Sequence, residues 1–320
     1  MTGDFEALTA PWRREVFAHC YRLVGATADA EDLVQETYLR AWRGFERFEG
    51  RASVRRWLHA IATTVCLSAL ETRPRRPLPS GLAAPFDDHR VAVAEPRESV
   101  PWLQPAPDRA LGVDDPATVA ATRATVRLAI VAALQLLPAR QRAVLTLRDV
   151  LAFTTAEVAA MLETTPDAVD ALLRRARRHL ADAAPVPDDL VEPPDRRTLL
   201  DDYVEAFTRA DPDALVALLR ADVELEMPPI PSWFSGRDAV VGFLAARVLG
   251  RGRWTMRPTG ANGQPALVVH RRTADAELPY GVQVLTLAGG RIARITSFND
   301  PSLVGLFAPD DQADAIRARA

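Results

Sequence analysis

Arg51, Arg55, Arg56, Trp57 and His59 crowd around one helix start in the run from Phe48 to Leu67. Guanidinium groups bind phosphate, while indole and imidazole rings stack on unpaired bases, so this mixture suits a nucleic-acid strand that has been opened. A core Trp beside solvent-facing arginines is the blander alternative, and these residues alone favour it. A second arginine set follows Pro166, where Asp167, Ala171, Arg174, Arg175 and Arg178 share the face opposite Val169, Leu172, Leu173, Ala176 and Leu180. Glu163, Thr164 and Thr165 form the turn before it. An arginine-rich outward face on the second helix of a helix-turn-helix reads a major groove by contacting guanine or phosphate. Arginines that are merely solvated, or that favour the negative end of the helix dipole, are the competing reading. Asp167 and Asp170 would repel phosphate unless one caps the helix or accepts from cytosine. The third set is Asp32, Gln35 and Glu36, an acidic and amide patch opposite the apolar stripe Ala30, Val34, Tyr38, Ala41 and Phe45. Charge alone reads it as a solvated face.

Toward the C-terminus the candidates for acid–base chemistry are Asp222, Glu224, Glu226, His270 and Asp300, with no paired motif among them. Alternating charges such as Val223-Glu-Leu-Glu-Met are what a half-exposed strand produces. Trp233 and Phe234 fall in a proline-stiffened stretch read as a loop, where large aromatics serve docking onto another surface. Trp102, followed by Leu103, is a further docking candidate.

These sets must be positioned by more than one folded unit. The 320-residue chain exceeds the usual single-domain length. Helical spacing runs over 5–71, a proline-rich linker over 72–116, and helical spacing again over 117–183 around a helix-turn-helix. A third domain, 195–310, opens with helices at Arg196 to Arg209, Asp213 to Leu219 and Arg237 to Leu249. It closes with strands at Ala266 to Arg271, Val282 to Leu287 and Ile292 to Phe298, the last two joined at Gly289-Gly290, which predicts an α+β fold. A net charge of −3 argues against indiscriminate coating of nucleic acid, although local basic faces still act. All 39 basic residues are Arg, a sign of GC-rich coding. No apolar run reaches the ~18 residues of a membrane span and the start lacks signal-peptide character, so a cytoplasmic protein without a membrane partner is expected. Cys20 and Cys66 lack metal-ligand spacing and read as small core residues, with no metal or cofactor implied.

Taken together, these residues resemble the sigma-70 family of transcription initiation factors, in the extracytoplasmic-function subgroup that keeps only regions two and four. Asp29-Ala-Glu-Asp-Leu-Val-Gln-Glu-Thr-Tyr-Leu-Arg-Ala-Trp resembles the polymerase-binding part of region two. The resemblance reverses the reading of its acidic face: Asp32, Gln35 and Glu36 would meet the clamp helices of the largest subunit of core RNA polymerase. Gly50 to Leu70 resembles the part that melts and reads the −10 promoter element, and Leu137 to Leu180 resembles region four, which reads the −35 element. DNA contacts are therefore implied for Arg51, Arg55, Arg56, Trp57 and His59, and for Thr165, Ala171, Arg174, Arg175 and Arg178. Thr64, Ser68 and Asp170 depart from the residues usual at these places. Val100-Pro-Trp-Leu-Gln-Pro and Glu226-Met-Pro-Pro-Ile-Pro-Ser-Trp-Phe-Ser-Gly-Arg are similar to sigma factors carrying a SnoaL-like domain, a cone-shaped α+β fold with a pocket. The implied fold class is multidomain, two all-α units followed by that domain. The implied function is an alternative sigma factor modulated by its own C-terminal domain, with no catalysis and with the pocket open to a small-molecule ligand. A helix-turn-helix repressor, or a DNA-binding module fused to a small isomerase or cyclase, is the rival reading.

Overall fold

The computed structural model describes residues 2–48, 50, 52–113, 124–183 and 196–307. They form two compact units, Met1–Arg76 with Asp108–Pro185, and Pro77–Pro107 with Val186–Ala320.

The first unit is helical: α1 (Thr2–Thr9), α2 (Arg13–Val24), α3 (Thr27–Gly44), α4 (Val54–Leu70), α5 (Asp108–Leu111), α6 (Leu128–Leu136), α7 (Ala139–Leu145), α8 (Thr155–Met161) and α9 (Pro166–Ala183). Local chemistry sets the boundaries. α2 stops at Gly25, whose φ of 74° is the left-handed conformation glycine adopts without strain. α4 is capped by Ser53, whose side chain accepts from Arg56 N–H, and α8 opens with a capping box between Thr154 and Glu157. α3 buries Ala30, Leu33, Val34, Thr37 and Ala41 at three- and four-residue spacing. Between α7 and α8 the chain makes a π-helical turn, Thr146–Val150.

The two helical segments were expected to fold separately, yet Ala60 and Leu67 of α4 pack against the core built from Leu134, Val144, Leu147, Val158, Val169 and Leu173. A polar seam joins them too. The Arg142 guanidinium donates to Leu23 O, and to Gln135 Oε1 at 2.7 Å, while Gln135 Nε2 donates to Arg22 O at 3.4 Å. Both cysteines are buried and free, as expected of small core residues.

The second unit holds one six-stranded sheet in the order β2-β1-β6-β5-β4-β3. Its strands are β1 (Leu219–Met227), β2 (Ile230–Ser235), β3 (Trp254–Ala261), β4 (Gln264–Arg272), β5 (Glu277–Ala288) and β6 (Arg291–Phe298). β1 runs parallel to β6, and every other pairing is antiparallel. One face packs on α10 (Arg196–Arg209), α11 (Pro212–Leu218) and α12 (Arg237–Phe243), with Tyr203, Phe207, Leu215, Leu225 and Phe234 in the core. A short helix, α13 (Val304–Phe307), closes the described chain. The expected helices and strands match these elements, and Gly289-Gly290, both at positive φ, form the hairpin turn. Gly281 allows close approach, since a Cβ there would lie 2.0 Å from Phe298 O.

The proline-rich stretch is not a free linker. Its part Pro77–Pro107 belongs to the second unit, where Leu78, Leu103 and Ala106 are buried and Trp102 nearly so. Prolines prevent helix and ladder, but extended segments can lie on a sheet's edge or face and satisfy their remaining N–H groups one by one.

Candidate functional site

α3 presents its patch because its other face is spent on the core. Asp32 and Gln35 are exposed, and Glu36 is half-buried, its carboxylate accepting from Arg40 Nε at 2.7 Å. Leu39 and Trp42 continue the same side and are about half exposed, at 51% and 40%. Sequence reasoning missed these two; the available signal was that both fall off the buried stripe. Acid, amide and apolar surface together are suited to docking another protein, because the apolar part rewards desolvation and the charges select the partner.

In the α4 cluster, Arg51 lies outside the described residues. Arg56 and Trp57 are half-buried, with the Trp57 ring stacked on Phe48 at a centroid distance of 4.6 Å. Arg55 is engaged: its Nε donates to Glu15 at 2.6 Å, its Nη2 donates to Leu151 O at 2.9 Å, and its guanidinium lies 4.6 Å from the Phe153 ring centroid. His59, expected to contact the opened DNA strand, is fully buried. Its position beside Leu58 and Ala62 on the inner face of α4 explains this, and its Nδ1 lies 2.8 Å from Arg55 O. His19 sits 5.4 Å away, centroid to centroid, with its Nε2 2.9 Å from Thr63 Oγ1. Burial lowers both imidazole pKa values, strongly for His19. Phe153 and Glu15, which engage these groups, carried no signal in the sequence, because their partners lie far away along the chain.

In the helix-turn-helix, Thr165 is the cap of α9, its Oγ1 accepting from Ala168 N–H at 3.2 Å. Val169, Leu173 and Ala176 are buried, and Ala171 is half-buried. Arg174, Arg175 and Arg178 are exposed on one side, while Arg177 pairs with Asp149 at 2.7 Å. Asp170 accepts from Thr155 Oγ1 of α8 at 3.3 Å.

Trp233 and Phe234 stand on strand β2, not in a loop, and what they dock is the proline-rich segment. Trp233 Nε1 donates to Ala83 O at 2.8 Å, and Phe86 packs beside Phe234 at 5.9 Å between centroids. Trp102 donates to Arg97 O within the segment itself. Glu226 is fully buried and accepts from Ser80 N–H at 2.9 Å. The other acidic candidates are tied locally: Asp222 to Arg220, Glu224 to Arg294, and Asp300 to Ser302 as the cap of a short helix.

A small cavity of about 30 Å³ opens in the sheet's helix-packed side. Its walls are Phe207, Leu225, Met227, Trp254 and Val269, with Gln283, Ser297 and Asn299 as the polar side. Tyr203 OH donates to Gln283 Oε1 at 3.1 Å beside it. Among the described residues the lining contains neither a carboxylate nor an imidazole. No group of three or more His, Cys, Asp or Glu able to hold a metal occurs among the described residues.

Comparison with known proteins matches the sigma-70 region 2 family to residues 8–76, sigma-70 region 4 to 127–180 and a SnoaL-like domain to 200–295. The chain is 46% identical over 314 residues to the ECF RNA polymerase sigma factor SigG of Mycobacterium tuberculosis strain H37Rv, covering 97% of this chain and 85% of the relative. It is 29% identical over 255 residues to SigJ of the same organism, covering 77% of this chain and 72% of the relative. The crystal structure of Mycobacterium tuberculosis SigJ shares the fold at a TM-score of 0.58 and 23% identity, covering 94% of this chain and 97% of that one.

Proposed function

The chain belongs to the extracytoplasmic-function sigma factors of RNA polymerase, and on that premise we propose how its parts divide the work. α3 docks on the clamp helices of core polymerase through Asp32, Gln35 and Glu36, with Leu39 and Trp42 supplying apolar contact. α9 enters the −35 major groove, where Arg174, Arg175 and Arg178 bind guanine edges and phosphate. Arg56 and Trp57 hold the opened −10 strand, and Arg55 joins them once it leaves Leu151 and Phe153. The observation that carries this reading is the α3 surface, where acid, amide and apolar side chains stay exposed on a helix already stable through its other face. No helix among the described residues is long and apolar enough to cross a membrane, which suits action in the cytoplasm.

In this reading the C-terminal domain acts as a regulator of the two helical regions, and the described lining of its cavity is mostly apolar, with Tyr280, Gln283, Ser297 and Asn299 as its polar groups. A small-molecule ligand would enter only if this cavity, about 30 Å³ and so roughly two waters in size, were to widen. The deciding experiment is promoter-specific transcription by core polymerase with the full chain and with Asp32→Arg/Glu36→Arg. Initiation by the first and its loss in the second supports the reading. DNA binding without polymerase-dependent initiation would return the repressor reading.

A further inference from the structure

α9 carries two carboxylates among its outward arginines, and the helix itself accounts for only one. Asp167 stands in the first turn, where the helix dipole and the unpaired N–H groups favour a negative charge. Asp170 lies beyond that turn and is exposed. It falls about 40° around the helix from Arg174, on the same side and one turn before it. Opposite charges four residues apart commonly pair along a helix. Asp170 and Arg174 do not: neither forms an ion pair among the described residues. Instead Thr155 Oγ1, in the first turn of α8, donates to Asp170 Oδ1 at 3.3 Å. A contact of that length between exposed groups adds little stability, so packing does not explain the carboxylate. It does fix one oxygen against the first helix of the helix-turn-helix, while Oδ2 accepts from no donor among the described residues.

On a helix that approaches phosphates, a negative charge lowers affinity for every sequence alike. It gains a use only where the groove offers it a donor. In the major groove guanine shows two acceptors and thymine an acceptor beside a methyl group, so both disfavour a carboxylate. Adenine offers N6–H₂, but its neighbouring N7 is an acceptor that opposes the charge. Cytosine offers N4–H₂ with no acceptor beside it. Arg174 is the complementary half, since a guanidinium matches guanine O6 and N7. The two side chains are ~6 Å apart along the helix axis, about two base-pair steps at ~3.4 Å each. Asp170 also lies in the N-terminal half of α9, the part of a recognition helix that reaches base edges.

We propose that Asp170, steadied by Thr155, is a specificity-determining residue: its carboxylate accepts from cytosine N4 in the −35 element, within two base pairs of the guanine read by Arg174. The inference rests on the placement of α9 in the −35 groove above and adds which base is selected, and by which side chains.

Transcription by core polymerase with the full chain, from a pool of templates randomised across the promoter, tests it once the initiated templates are sequenced. At one position of the −35 element the unmodified chain should prefer C by at least ~5-fold over the other bases. Asp170→Asn keeps the side chain's size and an oxygen for Thr155, so folding is preserved, but its amide matches adenine N6 and N7. At that position the preference should move from C to A, with the rest of the element unchanged. Thr155→Val should weaken the preference for C without creating one for A, and Thr155→Ser, which restores the hydroxyl, should return it. Arg174→Ala should erase a preference for G within two base pairs. An Asp170→Asn chain that keeps the parent's preference at every −35 position overturns the proposal. So does a response centred more than two base pairs from the one that follows Arg174. Failure of the α9 reading looks different and takes the proposal with it: the unmodified chain then shows no preference anywhere in the element, and Arg174→Ala changes nothing.

Discussion

Arg142 exemplifies what a single buried side chain settles here. It is 3% exposed, and burial lowers its pKa to about 10, still far above neutral, so it is charged in the fold. Among the described residues its acceptors are carbonyls: Leu23 O, Gln135 Oε1, and Gln135 O and Leu137 O at 3.1 Å each. An isolated buried cation would be costly, but one that satisfies several buried acceptors stabilises whatever geometry brings them together. Leu23 lies in the last turn of α2 while Gln135 and Leu137 belong to the region-four side, so this residue helps fasten the two helical parts. Arg142→Met keeps the volume and removes the donors, leaving those carbonyls unpaired. A loss of about 3 kcal/mol is expected from the usual cost of orphaned buried acceptors, read as a lower urea midpoint at unchanged slope. A midpoint within error of the parent would mean that the seam is held by its apolar contacts alone. The α3 patch is the opposite case. Asp32→Arg/Glu36→Arg should leave the melting curve within about 0.5 kcal/mol, as exposed charges do, while weakening association with core polymerase at least ~10-fold. Loss of stability in step with binding would instead make the patch structural.

At the scale of elements, α2, α4 and the turn carrying Phe153 meet around two neutral histidines. Burial disfavours the imidazolium of His19 and of His59, and His59 packs 5.5 Å from the Phe153 ring. Burial, the largest cause, opposes protonation of His59, as do the Arg55 and Arg22 charges, and together they outweigh Glu15 at 3.3 Å and the hydrogen bond to Arg55 O, which favour it. Folded pKa values below the unfolded value mean that the unfolded chain binds more protons, so stability rises with pH through that interval. The contribution is complete above about 6.5 and is lost as pH falls through the depressed folded values. Denaturant midpoints of the full chain should therefore drop between pH 7 and pH 5, and His19→Gln/His59→Gln should flatten that part of the profile. An equally steep decline in the double variant would assign the acid sensitivity to other groups. None of this was legible in the sequence, where the resemblance implied only that His59 beside Trp57 contacts DNA. The helices themselves were legible, because Ala30, Val34 and Ala41, or Val169, Leu173 and Ala176, repeat at the helical period whatever they pack against. Which helix faces which, and hence which arginine is free, depends on contacts about 100 residues apart, which no local period encodes. Arg174, Arg175 and Arg178 stayed exposed as expected, since a helix's outer face follows from its inner one. β2 was missed for a related reason: Pro231 within it, just after Pro228 and Pro229, masks its alternation, and it is an edge strand, where proline is tolerated.

For the molecule as a whole, the proline-rich segment decides how many bodies the chain has. With the C-terminal domain present, Leu78, Leu103 and Ala106 are covered and the segment's amides find acceptors on β1, β2 and the turn after β3. Burying a Leu side chain fully is worth about 2 kcal/mol, so docking is sustained by a few such residues together with hydrogen bonds that each add less. Removing everything after Ala183 takes away every one of those partners at once. The segment has no periodic pattern with which to build a core of its own, and its prolines exclude a helix, so it must become an extended chain. Arg90 and Arg97 are exposed within it, and proteases need several residues of locally unfolded backbone around such a site. Trypsin should therefore cut after Arg90 and Arg97 at least ~10-fold faster in the truncated chain than in the full chain, with the α1–α4 fragment surviving in both. Equal rates would mean that the docked segment is already open most of the time, and the C-terminal domain would then have to act on transcription by some means other than holding it. Transcription by the same pair separates the two directions of control, because an inhibitory C-terminal domain predicts that the truncated chain initiates more readily and a required scaffold predicts that it initiates less.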